Sequence, residues 1–197
     1  NIWGYSFLYF FLQLFYTNYH LQKKERRFDM IKTKDLVKAG LLLAIGIILP
    51  TVFHMTGING AVFLPMHIPV IISGFILGPM LGSIIGFITP FINHSLTGMP
   101  PTPVLWIMMV ELTVYGLLSG LLYRKVKVNL MLSLIISMIG GRISAALTLL
   151  ILANGFGITM PPIKAYIYGM TLTAIPGIII QIVLIPILMK AYWTIDN

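Results

Sequence analysis

The sequence predicts an all-α integral membrane protein, a single bundle of six transmembrane helices with both termini on the cytoplasmic side. Three observations carry this expectation. Charged residues occupy 9% of the 197 positions and hydrophobic residues 58%, whereas a soluble domain carries about 25% charged residues. Residues 39–110 contain no Asp, Glu, Lys or Arg, a stretch long enough for about three crossings at ~20 residues each. The basic residues gather in short clusters between apolar segments. The formal net charge of +8 therefore reports orientation in a lipid bilayer rather than attraction to nucleic acid. No cysteine is present, which removes disulfides, thiolate metal sites and thiol nucleophiles.

Residues 1–29 read as a leader ahead of a start at Met30. Lys24-Glu25-Arg26-Arg27 can be encoded by a purine-rich ribosome-binding sequence a few bases before the Met30 codon. The alternatives are an extra apolar helix over about residues 2–19 or a signal peptide. A signal peptide places its basic residues before the apolar run and a small-residue cleavage site after it, and here the basic residues follow. Residues 30–197 then form the single membrane domain.

The six expected spans run from about Leu36 to Thr56, Gly60 to Gly78, Leu81 to Leu96, Pro103 to Tyr123, Val128 to Ala153 and Ile163 to Met189. Their breaks carry turn chemistry: Gly57-Ile58-Asn59-Gly60, Gly78-Pro79, Gly98-Met99-Pro100-Pro101, the basic turn Arg124-Lys125-Val126-Lys127, and Pro161-Pro162. Gly permits unusual backbone angles, and Pro cannot continue a hydrogen-bonded helix. Six spans place Lys32, Lys34, Lys38, Arg124, Lys125, Lys127 and Lys190 on one side and Lys164 on the other. By the positive-inside rule, the first side is cytoplasmic. Thr97-Gly98-Met99-Pro100-Pro101 is echoed by Thr159-Met160-Pro161-Pro162 at a second outer turn, too short a match to establish a repeat.

Polar groups inside spans are costly and mark function or pairing. The candidates are His67, Asn93, His94, Glu111, Arg142 and Gln181, with His54, Asn59 and Lys164 near outer ends. At a rise of ~1.5 Å per residue, His67 lies ~10 Å deep, Glu111 ~12 Å and Arg142 ~16 Å. Apart from Gln181 they fall in the outer half. A channel needs polar groups through the full thickness; a cavity open only to the outside needs them in one half. The expectation is an outward-facing cavity that captures a small solute.

Glu111 and Arg142 are the formal charges expected to be buried deep in the spans. Either they pair and fix the packing of two helices, or at least one contacts substrate, with Arg142 suited to a carboxylate or phosphate. His67 is flanked by Pro65 and Pro69, and broken helices are usual near transporter sites. Asn93, His94, Thr97 and Met99, just before Pro100-Pro101, read as a loop closing over the cavity. Trp106, Tyr166 and Tyr168 read as interfacial anchors, with stacking on a ligand as the alternative. Gly40 and Ala44 leave a smooth face for close helix approach.

These residues carry a family resemblance. Gly40 and Ala44 resemble the small-xxx-small pattern in the first span of the substrate-binding S components of energy-coupling factor (ECF) vitamin transporters. The family usually has Ala at both positions, so Gly40 is a mild departure. Phe63-Leu64-Pro65-Met66-His67-Ile68-Pro69, Leu96-Thr97-Gly98-Met99-Pro100-Pro101 and Met109-Val110-Glu111-Leu112-Thr113-Val114-Tyr115-Gly116 look like a branch assigned to pantothenate, pyridoxine, hydroxymethylpyrimidine or cobalamin. The resemblance implies high-affinity vitamin capture from outside. It also implies partnership with a transmembrane coupling protein, touched by Gly40 and Ala44, and with two cytoplasmic ATPases, and delivery by toppling in the membrane. No cofactor or metal is expected. No phosphate-binding Gly-x-x-x-x-Gly-Lys loop, His-Glu-x-x-His or Gly-x-Ser-x-Gly pattern occurs, which argues against an ATPase or an intramembrane enzyme in this chain. The alternative is a small self-sufficient secondary carrier or channel.

Overall fold

A computed structural model of the chain describes residues 32–57, 60–158 and 163–196. The expected leader, Asn59 and the second Pro-Pro turn lie outside the described residues, as does the side chain of Lys164. The chain divides into two units, Asn1–Leu36 and Val37–Asn197. The described elements are all helical: α1 (Thr33–Met55), α2 (Gly60–Phe63), α3 (His67–Leu77), α4 (Pro79–Thr97), α5 (Val104–Gly120), α6 (Leu130–Leu150), α7 (Ile163–Leu172) and α8 (Ile175–Asp196). Wider turns, Leu121–Lys125 and Ile151–Gly155, extend α5 and α6.

Five helical segments are long and apolar enough to cross a membrane: Thr33–Met55, Gly60–Leu77, Val104–Lys125, Leu130–Gly155 and Ile175–Ile195. The expected third span is present as α4, but it is not among the five. Thr89, Pro90, Asn93, His94 and Ser95 dilute its hydropathy. The expected last span is redrawn. The run from Ile163 to Met189 is not one helix; it breaks at Thr173-Ala174, and α8 starts afresh at Ile175. Pro176, read as a kink inside a span, instead occupies the second position of a new helix, where its missing N–H costs nothing.

Local chemistry explains the other boundaries. Gly78 takes φ +92° and Pro79 opens α4, joining two helices without a loop. Gly98 closes α4 at φ +73°, its N–H donating to His94 O, a left-handed helix stop. Asn129 caps α6 by accepting the Leu132 N–H at 2.7 Å. The break between α2 and α3 falls on Leu64, a non-glycine residue at φ +52° followed by Pro65.

α4 and α5 pack most closely, with α3 against both and α6 on the far side of α5. The seam is glycine. A Cβ on Gly82 would lie 2.7 Å from Gly116 O, and one on Gly74 would lie 2.5 Å from the same oxygen. Backbones approach this closely only where side chains are absent. α1 docks through Gly46, whose carbonyl accepts from Asn93 Nδ2 at 3.1 Å.

The outer faces are apolar. Val37, Leu41, Ile48, Val52 and Met55 are exposed along α1, and Met80, Ile84, Phe87 and Phe91 along α4. His67, Asn93, Glu111 and Gln181 are buried. Apolar groups outside and polar groups inside suit a lipid surround. At one end of the bundle, Lys38 of α1 meets the end of α8, and the ends of α3, α5 and α8 meet one another. Lys38 Nζ donates to Tyr192 Oη, Arg124 Nη1 donates to Ile76 O at 2.6 Å, and Tyr123 lies between Phe75 and Trp193.

Candidate binding site

At the opposite end the helices part around a cavity of about 540 Å³. The end of α1 supplies Pro50 and His54. The broken helix supplies Gly60, Ala61, Leu64, Pro65, Met66 and His67. The loop after α4 supplies Met99, Pro100 and Pro101, and α5 supplies Val104, Met108 and Glu111. Arg142 comes from α6, and Tyr166, Gly169 and Met170 from α7, with Thr173 just beyond it. The interruption at Leu64–Met66 opens this space. It ends the short α2 and restarts the chain as α3 with His67 as its first residue.

The polar wall is a triad. Glu111 Oε1 lies 3.0 Å from Arg142 Nη1 and 3.7 Å from His67 Nε2. Glu111 and His67 are 1% and 2% exposed. The pair is electrostatic rather than an aligned hydrogen bond, because Glu111 Oε1 has no hydrogen-bond partner among the described residues. Neither do Arg142 Nη2, His67 Nδ1 and His67 Nε2. Most buried polar atoms in proteins are hydrogen-bonded, whereas these four, each shielded from solvent, belong to residues that line the cavity and are left without a partner. The His67 ring is fixed edge-on against Tyr115, with centroids 5.2 Å apart. Tyr115 in turn fits because Gly141 has no side chain; a Cβ there would lie 2.6 Å from the tyrosine ring.

His67, Met99, Glu111 and Arg142, expected at the site, all line the cavity. Asn93, His94 and Thr97 do not; their side chains engage protein. Asn93 Nδ2 donates to Gly46 O and to Thr89 O at 3.0 Å. His94 Nδ1 bonds Pro100 O at 2.8 Å. Thr97 Oγ1 donates to Asn93 O and accepts the Met99 N–H at 3.2 Å. These three hold the 97–101 loop over the cavity and hold α1 against α4. Gly40 is exposed on α1, where an added Cβ would meet nothing within 4 Å, and Ala44 is half-buried on the same helix. Met66, Met108 and Met170 escaped the sequence reading, because a methionine lining a cavity and one packed in a core look alike in sequence. Among the described residues, no group of His, Asp and Glu is arranged to hold a metal ion.

The family model described as ECF transporter, substrate-specific component, matches residues 34–189. The chain belongs to that family. Among curated proteins and solved structures, nothing matches. A substrate-specific component is a transport subunit rather than a catalytic enzyme. It works in a membrane, with a substrate and with other subunits of the ECF module. The cavity and its incomplete triad lie wholly within the matched residues.

Proposed function

We propose that this substrate-specific component captures a water-soluble vitamin in the cavity at His67, Glu111 and Arg142, and hands it to an ATP-driven module. The observation that carries the proposal is a buried polar triad with unpartnered atoms on the wall of an otherwise apolar cavity. Ligand sites combine an apolar enclosure with a few placed polar groups. Direct contact is assigned to His67, Met99, Glu111 and Arg142. Asn93, His94 and Thr97 position the loop that covers them.

The chain crosses the cytoplasmic membrane six times, α4 being the sixth crossing beside the five more apolar segments. Both termini face the cytoplasm. The bond from Lys38 to Tyr192 favours an even number of crossings between them. The cavity then faces outward, and Gly40 and Ala44 present the face that meets the coupling protein. Transport proceeds by toppling of the whole subunit, as the family resemblance implies; the close glycine packing of α3, α4 and α5 supports movement as one body.

Reconstitution tests this. Proteoliposomes holding the chain with a coupling protein and both ATPases should accumulate vitamin only with ATP inside. The chain alone should bind vitamin and transport none. Uptake by the chain alone would overturn the proposal in favour of a self-sufficient carrier.

A further inference from the structure

We propose that the ligand is a net-neutral nitrogen heteroaromatic of one or two rings, held by a donor–acceptor edge at the triad and by its faces against methionine. This rests on the cavity being the vitamin site and states which chemical class of vitamin it takes.

Charge is the first argument. Glu111 and Arg142 are the formally charged residues among the described lining, and they lie 3.0 Å apart. An anionic ligand reaching for Arg142 Nη2 meets the Glu111 carboxylate beside it. A cationic ligand reaching for Glu111 meets the guanidinium. The compensated pair therefore repels as it attracts, and a like-charge contact in a dry site is a strong selector. A neutral molecule with an acceptor next to a donor meets neither penalty. Its acceptor goes to the Arg142 guanidinium, and its donor goes to the Glu111 carboxylate, the two side chains that line the cavity together. An azine nitrogen beside an amino or hydroxymethyl group has this pattern. His67 offers one ring nitrogen as donor and the other as acceptor to a further hydroxyl.

Shape is the second. Met66, Met99, Met108 and Met170 all face the cavity. Thioethers are polarizable and pack favourably against aromatic rings, and their flexibility accommodates a flat guest. A volume of about 540 Å³ lies in the range for small organic ligands. It takes one or two rings with their hydroxylated arms and is far too small for a corrin.

The test is direct titration of the full chain in detergent with hydroxymethylpyrimidine, pyridoxine, pantothenate and cyanocobalamin. A neutral azine should bind at least ~100-fold more tightly than pantothenate, the difference expected when a charged ligand faces a compensated pair. Cyanocobalamin should not bind. Tightest binding of pantothenate or cyanocobalamin would overturn the ligand class and leave the vitamin site standing. No binding of any probe, with no small molecule released from purified protein, would overturn both. In Glu111→Gln, which frees Arg142 of its counter-charge, selectivity should move ~10-fold or more towards pantothenate. Unchanged selectivity in a folded Glu111→Gln protein would overturn the charge argument. If that variant does not fold, the wild-type titration still decides.

Discussion

The two ends of the bundle share α3, α5 and the helices beside them, yet one end is drawn together on glycine and the other holds a cavity. Towards the glycine end, Gly74, Gly82 and Gly116 bring three backbones into contact, and Ser73 and Ser119 turn their hydroxyls back onto their own helices. Among the described residues, Trp193 Nε1, on α8, is the buried polar atom left without a partner at this end. Towards the cavity, α3 begins late, after a break at a strained Leu64, and the space is lined by flexible methionines and by polar atoms that lack partners. The difference teaches how a small membrane protein holds a ligand. A rigid half fixes the helix positions, and that rigidity holds an unsatisfied half open.

The comparison breaks most sharply at the ion pair. Arg142→Met leaves Glu111 buried without its counter-charge, and removing one partner of such a pair costs ~3–5 kcal/mol. Thermal unfolding in detergent should show a large drop, with much of it recovered in the double variant Glu111→Gln/Arg142→Met. If the double variant is as unstable as the single, the pair is not the unit described here. Next is Gly116→Val, which inserts a branched side chain into the glycine seam. Overpacking of this kind costs ~1–3 kcal/mol or more. Size-exclusion profiles should lose the monodisperse peak, whereas the same change at exposed Gly40 should leave the isolated subunit intact.

Smaller effects sharpen the boundary between the two halves. Asn93→Ala removes the hydrogen bond that ties α4 to α1, leaving Gly46 O without its side-chain donor, together with the bond to Thr89 O inside α4. The expected loss is ~1–3 kcal/mol, read as lower thermal stability with ligand affinity falling less than in a His67 variant. Gly141→Ala should shift Tyr115, and with it the His67 ring, lowering affinity by ~10-fold while stability falls by ~1 kcal/mol. Equal affinity in Gly141→Ala would show that the tyrosine does not set the imidazole's position.

Much of this architecture was legible in the sequence because its punctuation has a mechanism. Gly78-Pro79 and Gly98 end helices where their backbone angles require it. The gathering of His67, Glu111 and Arg142 towards one end of the bundle followed from counting residues along helices. The break at Thr173-Ala174 was not legible, because neither residue interrupts an apolar run and Pro176 fits a kink as well as a helix start. Asn93 was read for its chemistry as a ligand contact, but its amide reaches Gly46 O, 47 positions away. Only tertiary packing decides whether a buried amide meets backbone or ligand. The Glu111–Arg142 pairing was open for the same reason, since residues 31 positions apart meet only once α5 and α6 are packed.

The central claim is that the triad end of the bundle is where ligand sits. Native mass spectrometry tests it most directly, comparing the wild-type chain released from detergent with His67→Ala, each after incubation with the same vitamin panel. The expected result is one small-molecule adduct on the wild type, well below corrin mass, that is lost from a folded His67→Ala protein. An adduct retained equally by His67→Ala, or no adduct on the wild type, would contradict the claim.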